Sequence, residues 1–116
     1  MTIFRTASYT IRPEAMEACK EVIRETIAYT KEHEPGTLMY MVLQEAEKPT
    51  NFVHISAYSD EAALERHVTG EPMLTNITNV IIPATIGETL FTQYTIVDAK
   101  LAPSLAQIDE QKEYSR

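Results

Sequence analysis

Three histidines, six tyrosines and one cysteine supply most of the reactive side chains in this 116-residue sequence. His67 lies one helical turn after Leu64 and beside Val68, on a face that must pack inward. A histidine there takes or gives a proton near neutral pH, unless it is a half-buried residue bonded to backbone. His54 shares a strand face with Phe52, Ser56 and Tyr58. If that face looks into a cleft, His54 is the stronger acid–base candidate. If it meets another subunit, its role is structural. His33 ends a helix, where its charge complements the helix dipole. Tyr9, Tyr40, Tyr58 and Tyr94 fall on strands, as core aromatics whose hydroxyls need a partner. Of these, Tyr40 and Tyr58 are the ones to hydrogen-bond a ligand, and Asn76 and Asn79 offer amides from a later helix. Cys19 sits on an apolar stripe and reads as an inert thiol. Met39, Met41 and Met73 read as core fillers.

Stronger signatures are missing. The sequence has no Gly-rich phosphate loop, nucleotide fingerprint, CxxC, HExxH or GxSxG. Zinc wants three or four ligands with supporting hydrogen bonds, which three scattered histidines do not supply. The expectation is therefore no metal site and no bound organic cofactor. What remains is a cleft with a few polar groups among apolar ones, the usual form of a small-molecule site.

The totals narrow the class. Hydrophobic residues make up 44% and charged residues 23%, ordinary for one globular domain. A net charge of −7 argues against nucleic acid or an anionic membrane as partner. A single cysteine allows no internal disulfide. Arg5 interrupts the only apolar start, so no signal peptide is visible, and no apolar run approaches a membrane span. The expected location is cytoplasmic.

The elements that must position these residues follow from periodicity and turn chemistry. Residues Thr2 to Thr10 alternate Ile3, Arg5, Ala7 and Tyr9 against Phe4, Thr6 and Ser8, which predicts a strand. Pro13 suits a first helical position. Met16, Cys19, Ile23, Ile27 and Thr30 then form an apolar stripe to about His33, where Pro35 stops the helix. The sequence Glu34-Pro35-Gly36-Thr37 fits a type II turn with Gly36 at positive φ. Strands are predicted over Thr37–Gln44 and Phe52–Tyr58, joined by a solvated loop. Ser59 or Asp60 caps a helix to about Thr69. Pro72 starts another with Met73, Ile77, Val80 and Ile81 on one side, ended by Pro83 and Gly87. A last strand spans Leu90 to Asp98.

The order β-α-β-β-α-β is the ferredoxin-like α+β unit, with helices on one face of a four-stranded antiparallel sheet. The folded domain spans 1–100 and a polar tail 101–116, whose apolar residues are Leu101, Leu105, Ile108 and Tyr114. Both faces of the second strand are apolar, so the open face of the sheet would expose a large patch alone. A second copy of the chain is the simplest cover.

Glu34-Pro35-Gly36, Tyr40, the apolar strand from Phe52, the run Tyr58-Ser59-Asp60-Glu61-Ala62-Ala63-Leu64 and His67 together resemble the antibiotic biosynthesis monooxygenase (ABM) domain family. The pattern covers about a third of the chain. Many relatives carry a glutamate where this chain has Ser56 and an apolar residue where it has His54, so the ionisable group has moved two positions along one face. The resemblance implies a dimeric α+β barrel, and oxygenation of a phenolic or quinol-type substrate without metal or flavin. The haem-degrading branch of the superfamily relies on a tryptophan, and this chain has none. On that reading His67 or His54 is the base, and Tyr40, Tyr58 and Asn76 orient the ring oxygens. Phe52, Leu64, Met73 and Ile77 make the apolar wall. The expected partners are a small aromatic molecule and a second copy of the chain. Two alternatives stay open: a non-catalytic binding or regulatory module on the same fold, and an isomerase-type chemistry run by one acid–base residue.

Overall fold

A computed structural model describes residues 1–105; residues 106–116, with Ile108 and Tyr114 of the tail, lie outside the described part. Four strands, β1 (Ile3–Ile11), β2 (Thr37–Gln44), β3 (Asn51–Tyr58) and β4 (Thr85–Tyr94), form one antiparallel sheet in the order β2-β3-β1-β4. The helix α1 (Met16–His33) follows a short 3₁₀ turn opened by Pro13. The helices α2 (Glu61–Thr69) and α3 (Glu71–Asn76) come between β3 and β4. This is the ferredoxin-like α+β arrangement the element order predicts.

Pairing register fixes which side chains meet the helices. Arg5, Ala7 and Tyr9 of β1 stand opposite Ser56, His54 and Phe52 of β3, which in turn neighbours Tyr40 and Val42 of β2. That face and the α1 stripe enclose a core of Tyr9, Ile11, Cys19, Ile23, Phe52, Ile81 and Ala84. Cys19 is fully buried there, and burial raises its thiol pKa. The opposite face carries Phe4, Met39, Met41 and Ile55 half-buried, with Leu43, Leu90 and Tyr94 exposed.

The turn before β2 differs from expectation in its physics. It closes through a hydrogen bond from Thr37 N–H to the Glu34 carbonyl at 3.1 Å. Gly36 nevertheless has no positive φ; among the described residues only Gly87 does. Gly36 is required for space instead. A Cβ there would lie 2.7 Å from the Ala63 Cβ, so the first turn of α2 rests on the bare backbone of the turn. The cap ambiguity resolves to Asp60, whose Oδ1 accepts the Ala63 N–H at 2.9 Å.

The second helical segment and last strand are also redrawn. After α3 the backbone widens into a π-helical turn at Ile77–Ile81, and a further turn, Ile82–Ala84, runs through Pro83. Then β4 begins at Thr85, earlier than the expected Leu90, and ends at Tyr94. Gly87 does not end a helix: it sits inside β4 at φ 77°, where the register with β1 slips between Ser8 and Thr10. A glycine in the left-handed region is the usual device for such a bulge.

The Gly36 contact sets a test. Gly36→Ala should cost about 1–3 kcal/mol through overpacking against Ala63, read as a shift in denaturant midpoint. The double variant with Ala63→Gly should recover part of that loss. An unchanged midpoint in the single variant would mean that the turn and α2 do not touch.

Candidate functional site

Between the sheet and the second helical layer lies a cavity of about 200 Å³ with a largely apolar lining. Its floor is made by paired polar groups. His67 is 1% exposed. Its Nδ1 lies 2.7 Å from Oε1 of Glu34, which also accepts the Thr37 hydroxyl at 2.9 Å. Glu34 comes from the turn that Gly36 lets α2 approach. Ala63 and His67 are four residues apart on one helix face, so the close packing of the first brings the second over the carboxylate. The carboxylate is an acceptor, so Nδ1 carries the proton. Nε2 has no hydrogen-bond partner among the described residues. Since no buried side-chain nitrogen or oxygen among them lacks one, Nε2 opens on the cavity His67 lines. The Tyr40 ring stands edge-on to the imidazole at 5.0 Å and the Tyr58 ring lies 5.3 Å away.

His54 occupies a different position on the same floor. Its Nε2 is 2.6 Å from the Tyr9 hydroxyl and its Nδ1 is 3.0 Å from the Tyr40 hydroxyl. Burial first, and the neighbouring His67 second, hold its pKa down to about 4. A neutral imidazole has one donor and one acceptor nitrogen. One tyrosine therefore donates to the ring and the other accepts from it. Burial also raises the pKa of both tyrosines, and that of Tyr58. The Tyr9–His54–Tyr40 chain is thus neutral and saturated at neutral pH, and it fixes the Tyr40 hydroxyl.

The expected residues divide. His67, His54, Tyr40, Tyr58, Met73 and Ile77 line the cavity. Phe52, Leu64 and Asn76 do not. Phe52 stacks on Tyr9 in the core, with ring centroids 5.7 Å apart. Leu64 lies outside the lining. The Asn76 amide instead reaches the Thr26 hydroxyl at 3.1 Å, tying α3 to α1. Residues that sequence reasoning did not place here are Glu34, Arg5 and Phe91. The signal for Arg5 was legible: it is the charged member of an otherwise apolar alternating set. His33 is exposed beside Tyr29 and Glu32, away from the cavity. Among the described residues no three His, Cys, Asp or Glu side chains gather as metal ligands, and no helix is long and apolar enough to cross a membrane.

The depressed His54 pKa has a consequence for stability. Its folded value, about 4, lies below its ordinary 6.5, so the unfolded chain binds the proton more readily. The penalty is absent above about pH 6.5 and grows as pH falls toward 4, reaching on the order of 3 kcal/mol. His54→Gln should flatten this part of the acid dependence of the denaturation free energy. An identical slope in both proteins would show that His54 is not buried neutral.

Comparison with known proteins agrees with the geometry. Residues 2–76 match the family model described as antibiotic biosynthesis monooxygenase. A crystal structure of an antibiotic biosynthesis monooxygenase superposes with a TM-score of 0.75 at 26% identity, over 83% of this chain and 99% of that one. A conserved protein from Methanosarcina mazei gives 0.73 at 23%, over 81% and 91%. SnoaB, a cofactor-independent oxygenase from Streptomyces nogalater, in its N63A mutant, gives 0.69 at 18%, over 84% and 95%. Among curated proteins there is no significant match. With well over half of its length under the family model, on a fold shared with these structures, the chain belongs to the antibiotic biosynthesis monooxygenase family.

Proposed function

We propose that the protein is a monooxygenase acting on a small phenolic or quinol-type substrate, with His67 as the base. The observation that carries this reading is the buried Glu34–His67 pair with Nε2 free toward an apolar cavity. A phenol bound there gives its hydroxyl proton to Nε2, and the imidazolium is stabilised by the Glu34 carboxylate on the other nitrogen, as in other base–orienter pairs. A hydroquinone anion or a similarly electron-rich phenolate can reduce dioxygen itself, so with such a substrate the cycle needs no resident redox group.

The balance closes. Electron transfer from the phenolate to dioxygen and recombination at a ring carbon bearing hydrogen form a C–O bond and a peroxide anion. That hydrogen passes as a proton to the outer peroxide oxygen, and cleavage of O–O leaves a quinone carbonyl and hydroxide. The departing hydroxide takes the proton stored on His67, so one oxygen atom ends in the quinone and the other in water. Tyr40, locked by His54, is oriented to donate to or accept from the substrate ring oxygen, with Tyr58 beside it. His54 acts as a positioning residue in this scheme, because both of its nitrogens are already engaged. Met73 and Ile77 supply the dry wall, which strengthens each of these electrostatic contacts.

We also read the protein as a homodimer. The apolar open face with exposed Leu43, Leu90 and Tyr94 supports this. Sedimentation at micromolar concentration should give about twice the 13.1 kDa chain mass. A folded monomer would remove the dimer from the architecture.

The deciding assay is dioxygen uptake by chelator-treated protein with a panel of hydroquinones and monophenols, autoxidation subtracted. Saturable uptake is expected, falling by a factor of about 10²–10⁴ in His67→Ala, as for loss of a general base, with the fold retained by circular dichroism. Absence of uptake across the panel would favour a non-catalytic binding module. Uptake unchanged in His67→Ala would take His67 out of the mechanism.

A further inference from the structure

Arg5 is the only lysine or arginine lining the cavity among the described residues. It projects from β1 on the helix-facing side, directly across from Ser56 on β3. Its guanidinium carbon lies 4.8 Å from the centroid of the Phe91 ring. No described carboxylate forms an ion pair with it, although the chain carries a net charge of −7. Phe91 is 59% exposed and His67 1%. The cavity therefore has a mouth marked by a cation and a floor marked by a base. A half-buried guanidinium without a counter-charge is costly unless something supplies one. Stacked over a ring, it keeps its edge N–H groups free for a planar oxyanion, which it can grip with two hydrogen bonds. Its field also acts on the Tyr40 and Tyr58 hydroxyls, favouring their ionised forms against the larger effect of burial. The charge thus reaches into the cavity.

Volume limits what can bridge mouth and floor. An apolar cavity of about 150 Å³ holds one benzene molecule. The 200 Å³ here matches a single ring with substituents more closely than a fused ring system.

We infer that the cavity takes a single-ring arene bearing a carboxylate, gripped by Arg5 at the mouth, with a ring hydroxyl directed at His67 on the floor. Only the direction of the hydroxyl rests on the proposed function; the carboxylate preference rests on Arg5 and the cavity alone.

Binding is measurable without turnover. Titration calorimetry under anaerobic conditions at neutral pH would compare 4-hydroxybenzoate, its methyl ester and 6-hydroxy-2-naphthoate. The acid should bind at least about tenfold more tightly than the ester, equivalent to roughly 1.4 kcal/mol. The naphthoate should bind more weakly than the single-ring acid. Arg5→Met should abolish the preference for acid over ester, and Arg5→Lys should restore part of it. Added salt should weaken the acid and leave the ester unchanged, a comparison that decides the matter in the wild-type protein even if the variants fail to fold. Equal affinity for acid and ester, a preference that survives Arg5→Met, tighter binding of the fused ring, or no binding of the acid would each overturn the inference. Binding of the acid without oxygen uptake would instead remove the oxygenase reading and leave this one standing. Uptake of neutral hydroquinones with no acid preference would do the reverse.

Discussion

The hydrogen bond between Glu34 and His67 is the constraint around which the rest of the structure is arranged. Its partners come from opposite ends of the chain's central stretch, one from the turn before β2 and one from α2. They meet only because the turn presents bare backbone to Ala63. A carboxylate and an imidazole this buried are expensive to desolvate singly, and each is made tolerable by the other. The Thr37 hydroxyl binds the same carboxylate oxygen, and Asp60 anchors the first turn of the helix that carries His67. Turn, cap and strand start therefore act together to aim a single ring nitrogen.

The two histidines do different work because their surroundings differ. His67 has an anion behind it and open space ahead. His54 has a phenol on each side and no anion, so burial holds it neutral. Its value lies in determining direction: the tautomer that satisfies Tyr9 also decides whether Tyr40 donates or accepts. Two imidazoles on one cavity floor, both charged, would repel each other, and the lower His54 pKa reflects that neighbour as well as burial. Pairing one histidine with a carboxylate and the other with two hydroxyls is what lets both occupy so small a space.

Much of this was readable from residue order. Alternation in β1, β2 and β3, the α1 stripe and the Asp60 cap each follow from local periodicity and propensity, and with them the ferredoxin-like arrangement. The helical position of His67 and its inward face were legible for the same reason. Glu34 was not, because its role depends on a contact with a residue 33 positions later, and its local surroundings mark it only as a turn residue. Gly36 was assigned the right necessity for the wrong cause: the turn needs no positive φ, whereas the packing admits no Cβ. The start of β4 was misplaced because Pro83 and Gly87 are helix and strand breakers in isolation. Here a π-helical turn carries the chain through the first and a bulge absorbs the second. Phe52 and Asn76 share faces with cavity residues, but their depth along the strand and helix sends them to the core and to α1.

Ser56 connects these points. Ser56 and Arg5 are directly opposite in the β1–β3 register, where side chains of a cross-strand pair are close enough to touch. A glutamate at that position would stand within reach of the guanidinium and neutralise it. Serine is too short and uncharged, and its hydroxyl is turned toward the Arg5 carbonyl at 3.5 Å. The cation is then left to the Phe91 ring and to whatever enters the cavity. The carboxylate that this chain does place at the site is Glu34, behind His67 and away from the mouth. Negative charge thus stands behind His67 and not at the entrance, which is the arrangement the proposed anionic ligand requires.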